Sequence, residues 1–338
     1  MPRLADNSYQ QALGESLRDV LLAHGLDALV PPAAAPRRLR HVVSPFAAAP
    51  GSPAARIQAT TFASMEAARE FAAGAGAAAE VSLRAAVLAA DREHAAGWFA
   101  DIRTLDRSAA DYDLFQVRRP LPFLFDIIAA AADGGVEHMI LTNVDICPLP
   151  HFYLAVSRLL DYGFDALIIN RRTVADCGTS ADQLPLLWAD PGRPHEGYDC
   201  FVFGAAAARR FLRNDAVVGA GGVMRGLIYN LVASARRLLI LTDVHLTCHV
   251  GDDKEWGRPE LRDSIEHNWR EAVAVLRPLA AAQPERFADF CANLPDRIRI
   301  ERPVAGGPRL VRAPGFTGFL PPLDPEAMPE SSADDPQR

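Results

Sequence analysis

Apolar and polar positions fall into blocks along most of this chain, and the period changes from block to block. Short apolar runs bounded by polar or turn residues predict strands over 57–62, 81–89, 136–142, 166–170, 200–203 and 238–245. Apolar residues three and four apart predict helices over 65–73, 121–132, 152–162, 205–212 and 223–235. The 121–132 helix opens after Arg119-Pro120 and closes before Gly134-Gly135, which are ordinary start and stop signals. Strands that alternate with helices predict an α/β fold: a Rossmann-type, mostly parallel sheet covered by helices on both faces.

The flanks read differently. Leu13, Leu17, Val20 and Leu21 share one helical face within 8–30, and Gly25 offers a stop. The proline-rich stretches at 31–36 and 50–53 predict a linker over 31–54. Residues 259–293 predict two helices separated near Pro284, and the Pro-, Gly- and acid-rich end predicts disorder over about the last ten residues. The expected organisation is an N-terminal helical segment with a Pro/Ala-rich linker over 1–54 and an α/β domain over 55–256. C-terminal helices over 257–302 and a Pro-rich tail over 303–338 complete it.

Composition narrows the class. With 338 residues and 49% hydrophobic content, the chain can bury a substantial core. A formal net charge of −7 argues against a broad nucleic-acid footprint. The five cysteines, at 147, 177, 200, 248 and 291, are odd in number and form no Cys-x-x-Cys pair. That pattern argues against a disulfide framework or zinc ribbon and suits a reducing, cytoplasmic setting. Charged residues interrupt any signal-peptide core in the first thirty positions, and no uncharged apolar stretch reaches the length of a membrane span.

The candidate chemistry gathers at two strand ends. The apolar run 139–142 stops on Asn143-Val144-Asp145, and residues two apart on an extended chain point the same way. Ligands in open α/β sheets bind at the carboxyl ends of strands, so Asp145 and Asn143 are candidate ligands of a hard divalent ion. A cap on the following turn is the competing role for Asp145. A hundred residues later, His245-Leu-Thr-Cys-His-Val-Gly-Asp-Asp253 follows a second apolar run and offers imidazoles beside carboxylates. The polar cluster His195-Glu-Gly-Tyr-Asp199 leads directly into an apolar strand, which puts Asp199 at a sheet edge.

These two motifs and the order of elements around them resemble the metal-dependent nucleotide-sugar glycosyltransferases of the GT-A fold. The resemblance spans roughly residues 55 to 256. It implies a sugar transferred from a nucleotide diphosphate donor to a hydroxyl acceptor, whether glycan, lipid-linked or small molecule. It implies Mn²⁺ or Mg²⁺ held by Asp145, His249 and Asn143, with Asn143 standing where family members often carry Asp. Asp199 and Glu196 become candidate catalytic residues, and His195, Arg171 and Arg172 candidate substrate contacts. Thr61, Asp91 and Arg119, with Asn143 and Asp145, become candidates for the donor nucleotide. A lipid-linked acceptor would bring the protein to a membrane surface peripherally.

The chain departs from the family pattern at Gly219-Ala-Gly-Gly-Val-Met-Arg-Gly226, where an acidic pair would supply the base of inverting members and no acid is present. Three other functions compete. A sugar-nucleotidyltransferase would show a Gly-rich loop after the first strand, and 63–67 has no glycine. A metallohydrolase would gather Asp145, His245 and His249 around zinc. A non-catalytic GT-A-like domain would bind a sugar or a partner without turnover. The sugar, the nucleotide and the oligomeric state are not written in these motifs.

Overall fold

The computed structural model describes residues 37–74, 79–176, 180–241, 244–251 and 259–287, together with strand segments at 299–300, 309–313 and 316–320. The helices expected over 8–30 and the pair Asp252-Asp253 lie outside the described residues.

The described residues begin with β1 (Arg37–Val43), followed by α1 (Pro53–Gly74), β2 (Ala79–Leu88), α2 (Arg92–Ala96) and β3 (Asp101–Leu105). Then come α3 (Leu124–Ala131), β4 (His138–Thr142), β5 (Ile146–Pro148), α4 (Phe152–Asp161) and β6 (Ala166–Val174). α5 (Leu184–Ala189), β7 (Arg193–Gly204), α6 (Ala205–Ala208), α7 (Arg225–Ser234), β8 (Leu238–Leu241), β9 (Thr247–Val250) and α8 (Arg262–Ala282) follow. A separate three-stranded antiparallel sheet joins Arg299–Ile300, Arg309–Ala313 and Phe316–Leu320.

The main sheet runs β3-β2-β1-β4-β7-β6-β9-β5, with β8 also pairing β6. β3, β2, β1 and β4 are parallel to one another, and β6 is parallel to β8 and β9. β7 is antiparallel to both β4 and β6, and the short edge strand β5 is antiparallel to β9. The expected mostly parallel α/β sheet is therefore present, with two antiparallel insertions.

Alternation along the central strands divides the core. Met139, Leu141, Ile168, Phe201 and Phe203 pack with α3 and α7 on one face. Ile140, Leu167, Ile169, Cys200 and Val202 pack with α1 and α4 on the other. A strand covered on both sides reads as a continuous apolar run, which is why 139–142 and 200–203 stand out in the sequence.

Several expectations need correction. The strand expected at 57–62 is part of α1: Ile57, Thr61, Met65, Ala68 and Ala72 are buried at three- and four-residue spacing. Pro53 at the helix start and the Ser52 Oγ accepting the Ala55 N–H at 3.2 Å fix its beginning. The first strand among the described residues lies instead at 37–43, inside the stretch read as linker. Its arginines disguised it. Arg40 is buried because it donates to the carbonyls of Ala131 and Asp133 and pairs with the Asp133 carboxylate. The two helices expected over 259–293 with a break near Pro284 are present as far as the described residues reach: α8 ends at Ala282, Gln283 interrupts it, and helix resumes over 284–287. β8 stops at Leu241, and His245 sits in the turn before β9 rather than on a strand. Among the described residues no helix is long and apolar enough to cross a membrane.

Candidate functional site

The site is assembled where β4, β6 and β9 approach their carboxyl ends and the antiparallel β7 begins. Behind it, a buried polar network fixes the end of β4. The His41 Nδ1 lies 2.8 Å from the Tyr153 hydroxyl and its Nε2 lies 2.8 Å from Thr142 Oγ1. Burial pushes the His41 imidazole down to about 3, so it is neutral and uses one nitrogen as donor and the other as acceptor. Thr142 is the last residue of β4, and Asn143 follows it. Val144 then turns into the apolar cluster around Val43 and Phe62, which leaves Asn143 and Asp145 on the polar side.

Asp145 and His249 are 104 residues apart and meet with Oδ2 3.2 Å from Nε2. His249 is held from behind, its Nδ1 donating to the Gly251 carbonyl at 2.8 Å. That bond keeps a proton on Nδ1 and turns Nε2 toward Asp145, where the charged ring donates to the carboxylate. Asn170 on β6 supplies the scaffold for this geometry. Its side-chain oxygen accepts the Val244 N–H at 3.3 Å and its carbonyl accepts the Thr247 hydroxyl at 3.0 Å, which positions the start of β9.

The electrostatics of the pair are mutual. Burial alone would raise the Asp145 carboxyl, but the His249 hydrogen bond and charge, with Arg171 adding, hold it below the usual carboxylate range. Burial alone would lower His249, yet the Asp145 hydrogen bond and charge and the Gly251 carbonyl push it above the ordinary histidine value.

Beside this pair lies a second cluster. Asp199 accepts from the Asn143 amide at 3.1 Å and from Arg171 Nη1 at 3.1 Å. Arg171 Nη2 lies 3.1 Å from His195 Nε2, and the Gly197 N–H donates to His195 Nδ1 at 2.8 Å. Asn143, Asp145, Arg171, His195, Asp199 and His249 thus form one continuous polar surface. Two buried atoms on it, Asp145 Oδ1 and Arg171 Nε, have no hydrogen-bond partner. Buried polar atoms are nearly always paired, so unsatisfied ones of opposite sign in one site mark where a ligand's own polar groups would fit.

The donor set is compatible with a hard divalent ion. Two ligands at right angles around a small octahedral cation stand roughly 3 Å apart, and a ligating histidine ordinarily gives its second nitrogen to a carbonyl. Asp145 and His249 meet both conditions. Among the described residues no group of three or more His, Cys, Asp or Glu converges, so such an ion would depend on ligand oxygens to complete its shell.

The remaining candidates scatter. Arg172 is turned to the Pro191 and Gly192 carbonyls, the latter at 3.1 Å, and clamps that turn. Thr61 is buried mid-helix with its hydroxyl 3.3 Å from Cys147 Sγ, a consequence of the misread strand. Asp91 closes the short helical turn after β2, and its carboxylate accepts the Ala47 N–H at 2.8 Å and ties down the loop after β1. Arg119 stands exposed in the loop before α3. The backbone of Glu196 belongs to β7, and its side chain is outside the described residues. His245 is lowered to about 4 by burial first and then by Arg172 and His151, and it is grouped with those residues rather than with Asp145. The sequence reading missed His41 and Asn170. The signal for His41 was its alternation with Leu39 and Val43 on β1.

No family model matches the chain, and no curated protein matches it. Among solved structures, it superposes on a TarS fragment from S. aureus in complex with UDP-GlcNAc with a TM-score of 0.40 at 8% identity, covering 85% of this chain and 100% of that one. Rv0371c from Mycobacterium tuberculosis H37Rv gives 0.34 at 15% identity, covering 69% and 99%. The 4-diphosphocytidyl-2C-methyl-D-erythritol synthase of Anaerococcus prevotii gives 0.34 at 9%, covering 69% and 97%. Superpositions this loose say nothing about chemistry, and the functional reading rests on the residues of this chain.

Proposed function

We propose that this protein is a metal-dependent glycosyltransferase that moves a sugar from a nucleotide diphosphate donor to a hydroxyl acceptor. The observation that carries the reading is the meeting of Asp145 and His249 beside Asn143, Arg171 and Asp199 at the carboxyl ends of the central strands. That is where an open α/β sheet binds its ligand.

Asp145 and His249 would hold Mn²⁺ or Mg²⁺, with Asn143 at the same strand end, and the mixture of carboxylate and imidazole suits Mn²⁺ best. A bound divalent ion supplies positive charge to the diphosphate leaving group. Arg171 adds a fixed, largely buried guanidinium to the same field and costs no reorganisation during the reaction. Asp199 already accepts from two donors and retains lone-pair capacity for a sugar hydroxyl, so its role is to orient the transferred sugar. His195, bridged between Arg171 and the Gly197 N–H, borders that position on the acceptor side, with Glu196 adjacent in sequence as the alternative proton acceptor.

Two competing functions lose support. Correcting the first strand moves the relevant phosphate-loop position to 44–52, which contains one glycine, Gly51, and so still lacks a glycine-rich cradle. Among the described residues His245 is grouped with Arg172 and His151 rather than with Asp145 and His249, which counts against the triad of a zinc hydrolase.

A thermal-shift panel of nucleoside diphosphates and nucleotide sugars, each with and without Mn²⁺, tests the proposal. Stabilisation by a nucleotide that requires the ion supports it, and stabilisation by Zn²⁺ alone with no nucleotide response counts against it.

A further inference from the structure

We infer that Cys147 and Cys248 are a reversible disulfide site built into the strand pair that carries Asp145 and His249. The two residues are direct cross-strand partners in the β5–β9 ladder, between the pairs Ile146↔His249 and Pro148↔Thr247. Directly opposed antiparallel residues have Cα atoms about 4.5–5.5 Å apart, within the disulfide range of about 4.4–6.8 Å. Both thiols are reduced and buried on the face of the sheet that meets α1. Cys248 Sγ donates to the Cys147 carbonyl at 3.7 Å, and the Thr61 hydroxyl lies 3.3 Å from Cys147 Sγ.

Burial alone would make such thiols inert, but β5 is the outermost strand of the sheet and only three residues long. All three residues of β5 are buried, so reaction waits on a local opening of this edge strand, which would expose both thiols together. The co-substrate is a hydroperoxide. One thiolate attacks the peroxide oxygen and releases an alcohol or water, leaving a sulfenic acid. The second thiol then attacks that sulfur and expels water. In sum, two thiols and one hydroperoxide become one disulfide, one alcohol or water, and one further water. A small-molecule thiol reverses it by exchange.

The bond would not leave the site untouched. Cys147 is two residues after Asp145, and Cys248 precedes His249. Drawing the sulfurs together costs the Thr61 contact and shifts β5 against β9, and with them the two groups that meet at 3.2 Å. The link between this shift and donor binding rests on the proposed function, whereas formation of the bond does not.

The test treats the full-length protein with hydrogen peroxide and maps its peptides without reduction, while the imidazole nitrogen resonances of His249 are followed by NMR. The expected result is a 147–248 linked peptide, a loss of two hydrogens in mass, and a His249 shift that reverses with thiol. Cys200→Ser should behave like the wild type, because Cys200 is packed among apolar residues of the central strands with no cysteine across the ladder. Cys147→Ser should show neither link nor shift. Linked peptides joining other cysteines, oxidation to sulfinic acid without a link, or a link that leaves His249 unmoved would overturn the inference. These outcomes are read without nucleotide, so they stand apart from failure of the glycosyltransferase reading.

Discussion

The carbonyl of Gly251 decides what His249 can offer. By accepting the Nδ1 proton it leaves Nε2 for whatever occupies the site, and Gly251 adopts a φ of +82°, a region open chiefly to glycine. The pair's own charge interaction has a defined pH window in the absence of metal. His249, raised above 6.5, contributes stability that is complete below 6.5 and fades as pH rises through its folded value. Asp145, lowered below 3.8, contributes stability present above 3.8 that fades as pH falls through its folded value. Denaturant titrations in chelator should therefore show a contribution confined between those limits, absent in His249→Gln. Division of labour at the site gives a second prediction. His249→Ala should weaken metal and nucleotide diphosphate binding together by roughly tenfold or more. Asp199→Asn should leave metal-linked nucleotide binding nearly intact while lowering transfer, because the role proposed for Asp199 is toward the sugar rather than the diphosphate. Calorimetry alongside a transfer assay separates the two, and an Asp199→Asn protein that loses nucleotide affinity would reverse the assignment. These residues were legible one by one in the sequence. Asn143, Asp145, Asp199 and His249 each stood at an apolar-to-polar transition, but only the fold shows that Asn143 bonds Asp199 while Asp145 meets His249.

Elements were legible in proportion to how completely they are buried. β4 and the apolar half of β7 are covered on both faces and read as apolar runs, so both were found. β1 was missed because Arg37, Arg38 and Arg40 make it look polar, and their charges are answered far away in sequence by Asp161, Glu137 and Asp133. α1 was split because Ile57, Thr60, Thr61 and Phe62 have strand-forming chemistry within a helix otherwise dominated by alanine. The position of β1 between β2 and β4 has a consequence for truncation. A chain that starts at residue 37 should keep a cooperative unfolding transition, and one that starts at 51 should lose it, as read by circular dichroism on heating. Equal transitions for the two would mean that β1 is dispensable to the sheet. His41 on that strand predicts acid sensitivity. Its folded value of about 3 lies below 6.5, so the unfolded chain binds the proton first and stability falls as pH drops below 6.5. One such proton gives a slope of up to about 1.4 kcal/mol per pH unit. His41→Gln should flatten that slope in a pH series of urea titrations, and an unchanged slope would remove His41 from the account.

At the scale of the molecule, a mostly parallel sheet with β7 running against its neighbours brings four strand ends into one place. β4 delivers Asn143 and Asp145, β6 delivers Arg171, β7 delivers His195 and Asp199, and β9 delivers His249. The fold class followed from alternating blocks of strand and helix, but the reversed direction of β7 has no local signature and sets which residues face one another. The central claim is that this gathering is a metal-dependent site for a nucleotide diphosphate donor. Isothermal titration of a nucleoside diphosphate series into wild-type protein and Asp145→Ala, each with Mn²⁺ and with chelator, tests it most directly. The account predicts binding that strengthens with Mn²⁺ in the wild type and loses that dependence in Asp145→Ala. The same ion-linked affinity in both proteins, or no response to the ion in either, would contradict it.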